Sequence, residues 1–278
     1  MVIEVYLNKT RFWKNLKQLR LRILVVVLVL GFGVAFGGYW HHRWFFPFPQ
    51  LSRLKHNLTT DNLTTASHTS GASNGTIQLK VRDFRASSDK EKYDSERDSL
   101  YRHETIEVDL KTTALVLIDV WSDHPNDGWM KRARQLTADK LVPLITLARR
   151  HDMMVFHAPH DRPIAADMQP QKGEINLDDA GIADTQGFHR YLQAQGVNTL
   201  IYAGYSSNVC VLHRPVGIIW MKQKGYNVIL IRDCTIAFEN PETLEGQWAN
   251  KLAIHSVEIH WGQTTTLQNL ADALRDQE

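Results

Sequence analysis

Short apolar runs, none alternating with polar residues, recur between Thr112 and Arg232, and longer amphipathic stretches separate them. A strand that is apolar on both sides must be covered on both faces, which is the pattern of a parallel sheet with helices above and below. The runs are Ala114-Leu-Val-Leu-Ile-Asp119, Met153 to His157, Thr199-Leu-Ile-Tyr-Ala203 and Asn227-Val-Ile-Leu-Ile-Arg232. The stretches between them predict helices over 138–151, 185–195 and 209–224, with Gly196 and Gly225 as the stops of the last two. Helices over 241–252 and 264–275 are expected to flank a last short strand at 257–260, and Thr76 to Val81 to add an edge strand. The fold class is α/β: a three-layer α/β/α, Rossmann-like fold with a mostly parallel sheet, occupying residues 76–278.

The N-terminus is of another kind. From Ile23 to Trp40 the chain carries no charge, close to the roughly 20 residues a helix needs to cross a bilayer. A basic segment, 1–22, precedes it with Lys9, Arg11, Lys14, Lys17, Arg20 and Arg22, and an aromatic belt including Trp44, Phe45 and Phe46 follows. Residues 23–40 therefore read as a transmembrane helix whose N-terminus stays in the cytoplasm, sending the C-terminal domain into a periplasm, a lumen or the exterior. A secretory signal cleaved near Ala35 to Gly38 is the competing reading, although the apolar run is longer than a usual signal core. Residues 41–75 read as a flexible linker, rich in Ser, Thr and Asn beyond Ser52. Asn57, Asn62 and Asn74 stand there in glycosylation sequons, which matter only in a eukaryotic lumen.

Composition excludes several classes. A formal net charge of +2 over 278 residues, concentrated in the N-terminal segment, gives no footprint for nucleic acid. The two cysteines, Cys210 and Cys234, are too few for a disulfide framework, although one bridge between them is open to an exported domain.

Open α/β sheets bind ligands at the carboxyl ends of their strands. Asp119 ends the first apolar run. Cys210 follows the turn Gly204-Tyr-Ser-Ser-Asn208 after another and opens the next helix, where backbone N–H groups and the helix dipole are expected to lower a thiol pKa. A carboxylate and a thiol thus share one rim, against the plain alternatives of a turn-capping Asp and a buried, inert Cys.

The segment from about Thr112 to Leu270 resembles the isochorismatase-like superfamily of cysteine hydrolases. Ala114 to Trp121 is similar to that family's first-strand motif, and Gly204-Tyr-Ser-Ser-Asn-Val-Cys210-Val to its nucleophile turn. The resemblance implies Cys210 as nucleophile, Asp119 as general base, Ser206 and Cys210 as backbone oxyanion donors, and Tyr205-Ser206 as a cis peptide. It also implies a triad lysine, and here the chain departs. The corresponding position falls near Asn176, with Lys172 the nearby lysine. This resembles a branch that dispenses with the lysine, leaving less help for a Cys210 thiolate.

Other residues carry two readings each. His124 and Trp121 are candidate pocket residues or a solvated histidine and a core tryptophan, and Trp129 shares the second choice. Asn208 is a turn former or pocket residue. His213 and Arg214 face an anionic ligand or a neighbouring subunit. His157, His160 and Asp161 lack the order that the superfamily's metal-binding nicotinamidases show, so neither a metal nor another cofactor is expected, and Cys234 reads as structural. The function these features support is a membrane-anchored cysteine hydrolase for a small amide, ester or related carbonyl compound. Its partners would be that substrate, the membrane and other copies of itself. The alternative is a catalytically silent domain that binds a ligand or supports a membrane complex.

Overall fold

The structure is a computed structural model and describes residues 75–84 and 101–276. The basic segment, the transmembrane expectation at 23–40 and the linker up to residue 74 lie outside the described residues. Among the described residues no helix is long and apolar enough to cross a membrane.

The core is an eight-stranded sheet in the order β2-β1-β8-β7-β6-β3-β4-β5. The strands are β1 (Thr76–Phe84), β2 (Tyr101–Asp109), β3 (Thr113–Ile118), β4 (Met154–Ala158), β5 (Ile175–Asn176), β6 (Thr199–Tyr205), β7 (Asn227–Ile236) and β8 (Gln263–Thr265). From β8 to β5 every pairing is parallel, and β1 joins antiparallel to both β2 and β8. The three-layer, mostly parallel expectation holds.

Strand residues divide between the layers by alternation. In β3, Leu115 and Leu117 join one buried cluster, with Trp129, Leu144 and Ala148 from the helices α1 (Asp127–Leu136) and α2 (Val142–Arg150). Ala114, Val116 and Ile118 join the other, with Phe188 and Leu192 of α3 (Thr185–Ala194) and Met221 of a later helix. Each fully buried Leu or Ile contributes roughly 1.5–3 kcal/mol, so β3, buried along its whole length, is a major source of stability.

Several elements differ from the sequence expectation. Helix begins at Asp127, because the Asn126 side chain accepts from the Trp129 N–H and caps it, and it continues through a wider turn at Thr137–Leu141 into α2. The helix expected over 209–224 is two, α4 (Cys210–His213) and α5 (Ile218–Gln223), since Pro215 cannot continue the first. Residues 241–247 form turns ahead of α6 (Trp248–Ser256). The strand expected at 257–260 is a helical turn, Val257–Trp261, and the strand follows it as β8, ahead of α7 (Leu267–Arg275). β1 is not an edge strand: it lies between β2 and β8. β2 escaped notice because one face, with His103, Thr105, Glu107 and Asp109, is exposed and the other is interrupted by the half-buried Arg102 and Glu104, so there is no apolar run.

Candidate active site

The site lies where adjacent parallel strands β3 and β6 end. Gly204, near the end of β6, has φ 107°, and a Cβ there would collide with the Ile118 carbonyl of β3. Only glycine fits, and the close approach brings the Asp119 end of one strand against the turn before Cys210 on the other. The Tyr205–Ser206 peptide is cis, as the resemblance implies. Beyond it, the Val209 and Val211 N–H groups both donate to the Ser206 carbonyl at 3.1 Å, folding the turn back as Cys210 opens α4.

Neighbours fix this turn on several sides. Asn208 donates through its side chain to the Phe238 carbonyl at 3.0 Å and accepts from the Phe238 N–H at 3.1 Å. Ser207 Oγ donates to Asn250 Oδ1 at 2.6 Å, and Thr235 Oγ1 to the Gly204 carbonyl at 2.7 Å. The Tyr205 hydroxyl donates to the Ala133 carbonyl at 2.8 Å and pairs with Thr137. The Tyr205 ring is therefore a buried fastener beneath the turn, and Asn208 is a staple between loops.

Asp119 is fully buried, in the left-handed region at φ 51°. Its Oδ1 accepts from Arg214 Nη1 at 2.6 Å, and the same nitrogen donates to the Ala158 carbonyl at 2.5 Å. Arg214 is itself only 5% exposed, and the Asp119 Oδ2 is buried with no fixed partner. The Cys210 thiol is an electrostatic neighbour of this carboxyl. Burial raises Asp119 to about 6, against the downward pull of the Arg214 charge and of the bonds from Cys210 and Arg214, with a smaller upward push from Asp178.

The thiol departs from expectation. Burial, then the Asp119 charge and hydrogen bond, push Cys210 well above the ordinary thiol value; the Ser206 N–H directed at it and the Arg214 charge pull the other way and lose. α4 is only four residues long, so it supplies little dipole to oppose burial. The resting pair above about pH 6 is a neutral thiol beside an ionised carboxylate, which makes Asp119 a proton acceptor in place.

The remaining sequence candidates fall into two groups. His124 and Trp121 belong to an aromatic cluster: the His124 ring lies 5.8 Å from Trp121, 4.9 Å from Trp129 and 5.3 Å from Phe238, with Arg162 over the Trp121 ring. His124 Nδ1 accepts from the Asn126 N–H, and burial lowers its pKa, so it is a neutral histidine. The cluster joins the turn before Cys210 through Asn208 on Phe238 and Tyr205 against Trp129. Lys172 is exposed, and Asn176 spends its side-chain oxygen on the Asp178 N–H at 3.1 Å, so neither takes the place of a lysine at Asp119.

Arg214 was the residue that sequence reasoning misplaced, since its partner is Asp119. The signal was its spacing, four residues after Cys210, which brings both onto one face of a helical turn. His157 is also not a ligand: its Nε2 pairs with Glu174 at 2.8 Å. Both cysteines are free thiols, and Cys234 sits in the cluster on the face opposite to the one Cys210 packs on. Among the described residues no group of His, Cys, Asp and Glu could hold a metal ion.

The family model described as the isochorismatase domain matches residues 113–253. No curated protein matches the chain. Solved structures similar to it include a cysteine hydrolase from Pseudomonas syringae pv. phaseolicola, 19% identical, covering 62% of this chain and 96% of that one, with a TM-score of 0.45. An isochorismatase family protein from Burkholderia thailandensis is 15% identical, with coverages of 59% and 96% and a TM-score of 0.43. An N-carbamoylsarcosine amidase from Thermoplasma acidophilum is 16% identical, with coverages of 56% and 96% and a TM-score of 0.40.

Proposed function

The chain belongs to the isochorismatase family, and from that premise we propose that it is a cysteine hydrolase acting on a small amide, ester or related carbonyl compound. The observation that carries the reading is the buried Asp119 carboxyl, with Oδ2 unpartnered, beside the Cys210 thiol at the ends of adjacent strands. In the proposed reaction the Cys210 proton passes to Asp119 as sulfur bonds to the substrate carbonyl carbon, whose π pair moves onto oxygen. The Ser206 and Cys210 N–H groups stabilise that oxyanion. Collapse expels the amine or alcohol, which takes the proton back from Asp119. Water, losing a proton to Asp119, then cleaves the thioester and restores the thiol.

The proposed setting is a membrane surface, with residues 23–40 as anchor, residues 1–22 cytoplasmic and the α/β domain in a periplasm, lumen or exterior, self-associated. The sequence pattern supports it. Alkaline carbonate should leave the full-length chain in the membrane pellet and release a chain lacking residues 1–40; release of both would remove the anchor from the proposal.

Iodoacetamide mass spectrometry on the full-length chain tests the chemistry. Cys210 should be modified at pH 7.5 under reducing conditions and Cys234, fully buried, should not. A screen of small amides and esters should then give turnover that Cys210→Ser abolishes. A silent ligand-binding domain is the second reading, favoured by a thiol that burial holds protonated. An inert Cys210 in the folded chain would select it.

A further inference from the structure

The Asp119–Arg214 pair is costly unless it has a use. Two charges taken out of water must repay their desolvation, and such pairs often stabilise no more than an apolar pair of the same shape. This one lies against the Cys210 thiol, at 0% and 5% exposure, and one guanidinium nitrogen holds both Asp119 Oδ1 and the Ala158 carbonyl of β4. The carboxylate is thereby referenced to the neighbouring strand, and only Oδ2 is left without a fixed partner.

We propose that Arg214 is the positioning residue of this site: by clamping Oδ1 it keeps the buried Asp119 ionised and leaves Oδ2 to take the Cys210 proton. The proposal rests on Cys210 and Asp119 being the reacting pair. A guanidinium is always protonated in proteins, so Arg214 holds charge without exchanging protons. Arg214 itself then moves no proton in the cycle. The ionisable groups that face Asp119 are Arg214, Cys210 and Asp178, and His160 lies by Arg214 and Asp178.

Alkylation of Cys210 on the full-length chain, followed from pH 5 to 9.5, reads this directly. The wild-type rate should rise with Asp119 ionisation and then stay flat. In Arg214→Gln the inflection should move up by about 1–3 pH units, the usual effect of an opposite charge at this range, so that reactivity at pH 7 falls by between about twofold and about a hundredfold. Arg214→Lys should return it to within about half a unit. A purely structural Arg214 would lower the midpoint of unfolding in Arg214→Gln without moving the inflection of the folded chain, and that result overturns the proposal.

A second measurement does not depend on that variant folding, or on Cys210 reacting at all. In the full-length Cys210→Ser chain with Arg214 intact, isotope-edited infrared spectroscopy of the aspartates reports the Asp119 carboxyl. An ionised Asp119 at pH 7.5 supports the clamp, and a protonated one overturns it. Absence of wild-type alkylation beside an ionised Asp119 would instead reject the hydrolase reading, and with it the transfer of the Cys210 proton to Oδ2, leaving Arg214 only as the counter-charge of Asp119.

Discussion

At Cys210 and Asp119 the proton inventory is small enough to follow by hand. Burial pushes both groups toward their neutral forms, yet one proton between them suffices, since Arg214 offsets part of the carboxylate's desolvation. Hydrolysis, or alkylation as its proxy, should climb through about pH 6 as Asp119 loses its proton and level off above it. Asp119→Asn should remove that inflection and slow labelling by about 10²-fold or more, the usual worth of a positioned base. An unchanged profile in that variant would assign the base to another group. The stability consequence has the opposite sign. Asp119 titrates higher in the folded chain than its ordinary 3.8, so its contribution to stability is present below about 3.8 and lost as pH rises through about 6. The pH range that suits the base is the range in which it strains the fold.

On the scale of single elements, the strand-end turn of β6 carries the site, and Gly204 is its narrowest point. A methyl group there meets the Ile118 carbonyl from a backbone at φ 107°. Gly204→Ala should cost more than about 2 kcal/mol in urea unfolding, beyond the ordinary range for a single surface change. Because β3 and β6 must separate to admit the methyl, Cys210 labelling should fall as well; wild-type stability with wild-type labelling would show that the two strands yield easily.

The central strands were legible because all-apolar runs leave few alternatives. β2 and β8 were not: one is polar on an edge, the other is three residues long, and the helical turn before β8 is as apolar as a strand. Of the site, the shared rim of Cys210 and Asp119 could be read from spacing, and Ser206 came only from the resemblance to the family's turn. Arg214 was hidden because a charged residue before Pro215 looks like a solvated loop, and only the tertiary packing buries it. The expected drop in the thiol pKa failed because four residues of helix were credited with the field of a long one.

Across the whole molecule, the irregular chain between β4 and α3 depends on one buried carboxylate. Glu174 accepts from Arg149 of α2 at 2.6 Å, from the Gln171 N–H at 2.9 Å and pairs with His157 of β4. Burial alone would raise Glu174, but these bonds together hold it at about 2, below its ordinary 4.5. A depressed carboxyl lends stability above about pH 4.5 that is lost as pH falls toward 2. Glu174→Gln should therefore be less stable than wild type at pH 7, with the gap in urea midpoint narrowing steadily below pH 4.5. A gap constant down to pH 3 would mean that Glu174 is held by packing and not by charge.

The place of β1 in the sheet has a mechanical meaning. Its residues Thr76 to Phe84 pair in unbroken register with Asp109 back to Tyr101, and on the other side Arg82 meets Thr264 while Thr265 and Asn269 bond the Lys80 carbonyl. A pull applied at Gly75 along the strand loads these bonds side by side, in shear, and not one after another as in a zipper. Tension entering the domain from its N-terminal side would thus be borne by the whole of β1 before any of it reached the turn that carries Cys210.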